Sequence, residues 1–415
     1  QPKTLVGTMI FALARRNLWR QPRRTILSTL AIALTTTLMV FMLSFQFGGY
    51  LGMIESSMAL FDGHLQIQVK GYKKDPSIRK TIDNPNNLLS KIIQNPKVKH
   101  GGGRANGFGL LSSPTRSFGA MIIGVQPEHE PGLSTVPKKI VEGRFFSQGA
   151  DNEIILGQRL AQNLGLKVGD AVTLLGTGLN GSMAVDSLQI IGLFKSGIPE
   201  IDRRFAEMPL ARFQETFSIP DQAHSIVLSG ASAIALQEEK ENILALLDSD
   251  SNLVVLDWTE LQPPILQAIL LDMSSALLIY VVLIIVVTFS LLNSLLMSVL
   301  ERTREFGMLM ALGMKPAILG KVVWVETLML ILFGVLTGLL FGYAISEYYH
   351  QTGIYFEAME EMMAEFGMSG SIYPIIHPFT LFAGPLFISL SIALAGLYPI
   401  LRIRRLEPVM AMRKI

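Results

Sequence analysis

Residues 301–313 read ERTREFGMLMALG, and Glu301, Arg302, Arg304 and Glu305 place four charges in five positions. The chemistry open to such a run is ion pairing along a surface. Phe306, Leu309 and Met310 recur at helical spacing, and Gly313 stands as a C-cap ahead of Pro316. The charges therefore head a short amphipathic helix. Greasy stretches flank it on both sides, L277–V299 and V322–I345. A charged helix held between two membrane spans is a docking element for a partner.

Other residue types capable of chemistry do not assemble. Glu128, His129 and Glu130 are possible metal ligands, but one histidine between carboxylates ahead of Pro131 reads as a solvated turn. The six histidines form no H-E-x-x-H or H-x₃₋₅-H pair, and no G-x-S-x-G elbow is present. The run GGGR (101–104) reads as a turn or mobile loop. LSGAS (228–232) lies in strand-like sequence. No G-x-x-x-x-G-K-[ST] loop is present, so nucleotide hydrolysis by that device is not expected. Zero cysteines exclude disulfides and thiolate metal sites. No basic–aromatic interleaving points to nucleic acid. The expectation is a non-enzymatic chain with no catalytic residue, metal site or cofactor of its own.

The elements that hold the charged helix follow from composition. Of 415 residues, half are hydrophobic and 16% charged, against roughly a quarter charged in soluble domains. The deficit lies in four nearly charge-free windows, each near the roughly 20 residues a bilayer requires. The expected fold is a polytopic α-helical membrane protein with four transmembrane helices and a large α+β extracytoplasmic domain. Its parts are an interfacial amphipathic helix (1–25), a first span (26–49), an outside domain (50–269), a second span (270–300) and the charged segment (301–321). A third span (322–346), an outside loop (347–378), a fourth span (379–401) and a tail (402–415) complete it.

Charge bias orients these spans. Residues 1–25 carry six basic residues and no acid, the tail carries five basic and one acidic, and the loop 346–378 carries five acids and no Lys or Arg. The positive-inside rule places both termini and the charged helix in the cytoplasm. The first apolar run is too long for a cleavable signal. Before it, Ile10, Phe11, Ala14 and Leu18 alternate with arginines as in an interfacial helix, with Trp19 at headgroup level. Gly334, Gly338 and Gly342 form a stripe at i, i+4, i+8, where another helix can approach closely. Glu326, one turn inside the same span, is expected to pair with a neighbour or reach the interface. The first span's pattern runs on to about Phe61 as a stalk, in which Gly48, Gly49 and Gly52 are the weak point for a hinge. Between spans one and two, strands such as GHLQIQVKG and FGAMIIGVQ alternate with short helices. The β-heavy sequence at about 130–222 suggests a β-rich subdomain inserted into an α/β one.

The segment ERTREFGMLMALGMKPAILGKVVWVETLMLILFGVLTGLLFG resembles the signature of FtsX-like ABC permeases of the MacB and LolC/LolE type, within the type VII ABC superfamily. Those proteins share the run E-R-x-R-E-[IF]-G-x-L-x-A-L-G, a Glu in the next span and a glycine series after it. YPILRIRRLEPVMAMR is similar to their C-terminal pattern, and EGRFF…NEIILGQRLAQNLGLKVGDAVTLLG to their periplasmic domain. The resemblance implies a coupling helix seated on an ABC ATPase. Glu301, Arg302, Arg304, Glu305, Phe306, Gly307, Leu309, Ala311, Leu312 and Gly313 match the motif. Charges at the rim and apolar packing by Phe306 and Leu309 at the centre are the implied roles. It further implies two ATPase copies that bind the ATP and Mg, and a second permease chain in a homo- or heterodimer. The implied site is the bacterial inner membrane, with the large domain in the periplasm and membrane lipids around the spans. Lipoprotein or other lipid-linked cargo would be moved by mechanotransmission. The alternatives are a transmitter that activates a periplasmic hydrolase, or an exporter of peptide, lipid or antibiotic.

Overall fold

The computed structural model describes residues 2–147, 149, 151–247, 252–355, 357 and 371–404, with the backbone alone for 2–8 and 404. The chain divides into two units: Gln1–Tyr50 with Leu270–Ile354 and Ile372–Ile415, and Leu51–Ile269 with Tyr355–Ser371.

Among the described residues the first unit is built chiefly of helices: α1 (Pro2–Arg20), α2 (Pro22–Ser57), α3 (Pro263–Glu301), α4 (Thr303–Ala311), α5 (Pro316–Thr352), α6 (Pro378–Ala395) and α7 (Leu397–Arg404), with a short strand pair, Ile354–Tyr355 and Ser371–Ile372, after α5. Among the described residues, four stretches are long and apolar enough to cross a membrane: Pro22–Asp62, Pro263–Glu301, Pro316–Thr352 and Pro378–Ile403. Each stretch is longer than the apolar window expected to cross the bilayer, 26–49, 270–300, 322–346 and 379–401. Apolar composition marks only the hydrocarbon depth, whereas a helix ends where its backbone is interrupted. Proline supplies that start at Pro263, Pro316 and Pro378, where its missing N–H costs nothing. At the far end of α2 a π-helical turn, Met58–Asp62, leads to Gly63 with φ 63°. Ile32, Met39, Leu291, Leu295, Ile331, Ile388 and Ile392 form the interior where the helices meet. Leu278, Phe289, Phe333 and Phe387 are exposed on the outer faces, as suits helices whose surroundings are apolar too.

The second unit is a sheet with short helices against it. Its strands are β1 (Leu65–Val69), β2 (Ile82–Asp83), β3 (Val98–Ser112), β4 (Ser117–Val125), β5 (Ile140–Gly143), β6 (Glu153–Gly157), β7 (Ala171–Thr177), β8 (Met183–Phe194), β9 (Phe205–Pro209), β10 (Gln222–Ala223), β11 (Ser225–Gly230) and β12 (Leu253–Asp257). The main sheet runs β12-β1-β11-β3-β4-β9-β6-β8-β5, β7 pairs with β3 and β8, and β2 pairs with β10 separately. Two cores lie along it. One gathers Leu65, Ile67, Leu89, Ile226, Leu236 and Val255, and the other Leu111, Ile122, Leu160, Leu174, Phe213 and Phe217.

Strand β3 joins the two cores. Its residues 98–104 pair with β11, and 105–112 pair with β4 and β7. The core around Leu111 takes its first residue, Ala105, from this strand. The run Gly101–Arg104 is strand, not the turn or mobile loop its composition suggests. Crowding explains two of the three glycines: a Cβ on Gly101 would come within 2.4 Å of Leu89 Cδ1, and one on Gly102 within 2.8 Å of Leu133 Cδ1.

Candidate functional site

The charged segment folds as two turns of helix between a break and a reversal. Arg302 (φ −97°, ψ 7°) interrupts α3, and α4 follows at once. Gly313 then takes φ 94°, a region closed to most side chains. Met314 N–H reaches back to the Leu309 carbonyl at 3.0 Å, and Pro316 opens α5.

Two apolar stripes run along α4, and only one faces inward. Phe306 (2% exposed), Gly307 and Met310 are buried, with Leu309 packed beside them. Phe306 and Met310 join Val299, Leu319, Val323 and Ile403 in one cluster. The opposite stripe is open: Arg304, Met308, Ala311, Leu312 and Gly313 are exposed, Leu312 by 81%. Met308 escapes the family motif, although its i+4 position from Arg304 places it on that face.

The remaining charges are held inside the unit. Arg302 Nη1 donates to Glu326 Oε1 at 3.1 Å and Oε2 at 3.3 Å, and its guanidinium lies 5.0 Å from the Phe306 ring centroid. Asn17 Nδ2 donates to Glu326 Oε1 at 2.6 Å. Glu326 thus bridges α1 and the start of α4, which is the pairing form of the two expectations for it. Arg20 bonds Glu305 at 3.1 Å, Gln21 Nε2 donates to Glu301 at 3.2 Å, and Arg24 approaches Glu301 at 3.9 Å. Charged hydrogen bonds of this kind are roughly twice as strong as neutral ones. No local pattern announces these partners from α1 and the start of α2, because they stand some 280 residues away in sequence.

The long helices are meshed and tied. Cβ atoms added to Gly334, Gly338 and Gly342 would lie 2.6 Å from Ile32 Cβ, 2.5 Å from Thr36 Cβ and 2.9 Å from Val40 Cβ. The stripe is thus where α2 sits against α5, and Thr37 Oγ1 donates to the Gly338 carbonyl at 3.1 Å. Near the far end, Tyr50 Oη and Gln46 Nε2 donate to Asp272 at 2.5 and 3.2 Å, while Tyr280 Oη donates to Gln46 Oε1. Helix α2 runs unbroken through Gly48, Gly49 and Gly52. Gly48 meets the Tyr373 carbonyl, which would lie 2.0 Å from an added Cβ.

In the second unit a buried polar group stands among apolar strands. Arg104 donates to the Phe61 carbonyl and to the Glu130 carboxylate, both side chains being almost fully buried. Glu130 is therefore not part of a solvated turn. Its partner, 26 residues earlier, leaves no local trace in sequence. Glu207 on β9 is fully buried, and neither carboxylate oxygen has a hydrogen-bond partner among the described residues. Burial, and then the Glu130 charge, push its carboxyl well above the ordinary range, against the pull of Arg104. No cluster of three metal-ligating side chains occurs among the described residues.

Two family models match the chain. The MacB-like periplasmic core domain covers residues 25–246, more than half its length, and the FtsX-like permease C-terminal region covers 277–408. This protein belongs to the FtsX-like, MacB-type permeases. It is an ABC transporter permease, with four apolar helices and an α+β periplasmic domain. The curated relatives of this permease include the lipoprotein-releasing system transmembrane protein LolC of Neisseria meningitidis, 24% identical over 73% of this chain and 75% of that one. LolE of Haemophilus influenzae is 21% identical over 79% and 80%. Among solved structures, the periplasmic region of MacB from Actinobacillus actinomycetemcomitans aligns at TM-score 0.35 with 13% identity, covering 48% of this chain and 91% of that one. The extracellular domain of the transporter YknZ aligns at 0.35 with 13% identity, covering 46% and 99%. The family permeases to which the sequence motifs pointed are thus the ones matched.

Proposed function

We propose that this permease is the membrane subunit through which a separate ABC ATPase does mechanical work on lipoprotein cargo. The observation that carries the reading is the open face of α4. Arg304, Met308, Ala311 and Leu312 project from a helix whose other side is anchored by Phe306 and by the Arg302–Glu326 pair. An exposed apolar stripe with one arginine matches the composition of interface anchors. Two ATPase copies, carrying the ATP and Mg, would serve this chain and a second permease. Basic residues around α1 support a cytoplasmic placement of α1 and α4 in a bacterial inner membrane. Displacement of α4 would pass through Arg302 into α5 and α1, and through the meshed glycines into α2. At 1.5 Å per residue, α2 and α3 are roughly 54 and 58 Å long, well beyond the roughly 30 Å hydrocarbon core. They are long enough to carry that movement as levers to the periplasmic side. The lipoprotein cargo rests on the relatives named for lipoprotein release.

The test is affinity capture of the full chain from membranes, with mass spectrometry of what accompanies it. Wild type should retain an ABC ATPase and a lipoprotein. Leu312→Asp and Arg304→Glu should insert normally and lose the ATPase by on the order of tenfold or more. Full ATPase retention by both variants would remove α4 as the contact. A cell-wall hydrolase in place of lipoprotein would overturn the cargo assignment.

A further inference from the structure

Helix α1 carries a second stripe that the coupling site does not use. Its inner side, Ile10 and Ala14, is buried against Val322 and Met329 of α5. Phe11, Arg15 and Trp19 follow one another at i, i+4, i+8 on an exposed side, Phe11 by 55% and Trp19 by 78%. With Leu18, Ile26 and Phe333 they border a groove of about 540 Å³. Thr25, one of the few hydroxyls in the lining, already donates to the Leu18 carbonyl at 2.8 Å.

The charges around this groove are sorted. Arg20 and Arg24 are engaged by Glu305 and Glu301. Arg15, Arg16 and Arg23 have no ion pair among the described residues, and Arg15 stands in the lining itself. Among the described residues no Asp or Glu lines the groove. An apolar slot closed by one free guanidinium, with a tryptophan beside it, matches a chain molecule with an anionic head. On helices of membrane-spanning composition, that molecule is a phospholipid.

We propose that the groove between α1, α2 and α5 binds one anionic phospholipid, an acyl chain lying against Trp19, Ile26 and Phe333 and the phosphate meeting Arg15. Selectivity follows from the missing carboxylates. An ethanolamine amine finds no counter-charge here and is repelled by Arg15, whereas a glycerol headgroup leaves the phosphate free to pair. The site rests on the function proposed above only in assigning α1 to the cytoplasmic leaflet.

The experiment uses the full chain with Trp258→Phe and Trp324→Phe, so that Trp19 is its one tryptophan, in nanodiscs of mixed phosphatidylethanolamine and phosphatidylglycerol. Bromine on the acyl chains of one lipid at a time quenches a neighbouring indole. Brominated phosphatidylglycerol should quench Trp19 more strongly than brominated phosphatidylethanolamine at equal content. Arg15→Gln should reduce that preference roughly fivefold, the factor equivalent to about 1 kcal/mol per basic residue. Equal quenching by the two lipids, or an undiminished preference in Arg15→Gln, would overturn the proposal. Phospholipid retained by the otherwise unaltered chain in detergent gives a second reading that needs no tryptophan substitution. Phosphatidylglycerol should be enriched over the parent membrane, and Arg15→Gln should abolish the enrichment; its absence, or its persistence in the variant, again counts against the site. No ATPase is present in either measurement, so failure of the coupling assignment leaves the result unaffected.

Discussion

Arg302 and Glu326 meet at 3.1 Å between the break after α3 and the first turns of α5, with side chains 15% and 9% exposed. Removing one member of a buried pair strands the other charge, which costs more than losing both. Glu326→Gln and Arg302→Gln should each destabilise the detergent-solubilised chain by on the order of 3 kcal/mol. The double variant should lose clearly less than the sum. Denaturant unfolding of all four proteins measures the coupling, and strict additivity would mean the two residues act independently.

The two stripes of α4 should respond in opposite ways to substitution. Phe306→Ala opens a cavity beneath the helix and should lower stability by about 3–5 kcal/mol. Leu312→Ala removes an exposed side chain and should change stability by less than about 0.5 kcal/mol. Thermal unfolding of the isolated chain separates them. Similar losses in both would mean that α4 is held from a different side.

Legibility in the sequence divides along the same line. The bilayer demands about 20 apolar residues in a row, so the four spans show in composition alone. The charged helix shows as well, through its charges and its Gly-Pro stop. Which face of it turns inward does not show, because Phe306 with Met310 and Met308 with Leu312 are equally apolar stripes. The choice is made by Val299, Leu319 and Val323 on neighbouring helices. Glycine misled in β3, where composition spells a turn but Leu89 and Leu133 lie close over the strand. The Arg104–Glu130 pair stayed invisible because only the fold brings its members together.

Glu207 predicts a pH dependence whose sign is fixed by its burial. Its carboxyl is raised above the ordinary 4.5, so the folded domain holds a proton that the unfolded chain releases. Stability from this group is full below 4.5 and is lost as pH rises through the raised folded value, by about 1.4 kcal/mol per pH unit at most. Glu207→Gln should be the more stable protein at neutral pH and show a flatter profile across that window. Hydrogen exchange of the β9 amides in the full chain, followed against pH, reads both. A wild-type profile that rises with pH across the window would refute the assignment.

Alanine at the three stripe glycines should rank by what each new methyl meets. At Gly338 it would face Thr36 Cβ at 2.5 Å and the Ala33 carbonyl at 2.6 Å, whereas at Gly342 its nearest neighbour is the Val40 side chain at 2.9 Å. Overpacking costs about 1–3 kcal/mol, so Gly338→Ala should be the worst and Gly342→Ala the mildest. Thermal stability in detergent gives the order, and a reversed ranking would show that α2 yields readily.

Those same contacts have the geometry of a rack. Gly334, Gly338 and Gly342 are notches four residues apart, and Ile32, Thr36 and Val40 are teeth at the same interval, the numbering rising together on both helices. A rack with evenly cut teeth engages again one tooth further along. If α2 advanced by four residues, about 6 Å at 1.5 Å per residue, two of its three teeth would find notches once more, while positions in between would clash. Travel along α5 would therefore be stepped, with resting places one helical turn apart. Spin labels on Leu34 and Leu336, both exposed, would record such travel as two discrete distances, and a single continuous distribution would show that the helices glide.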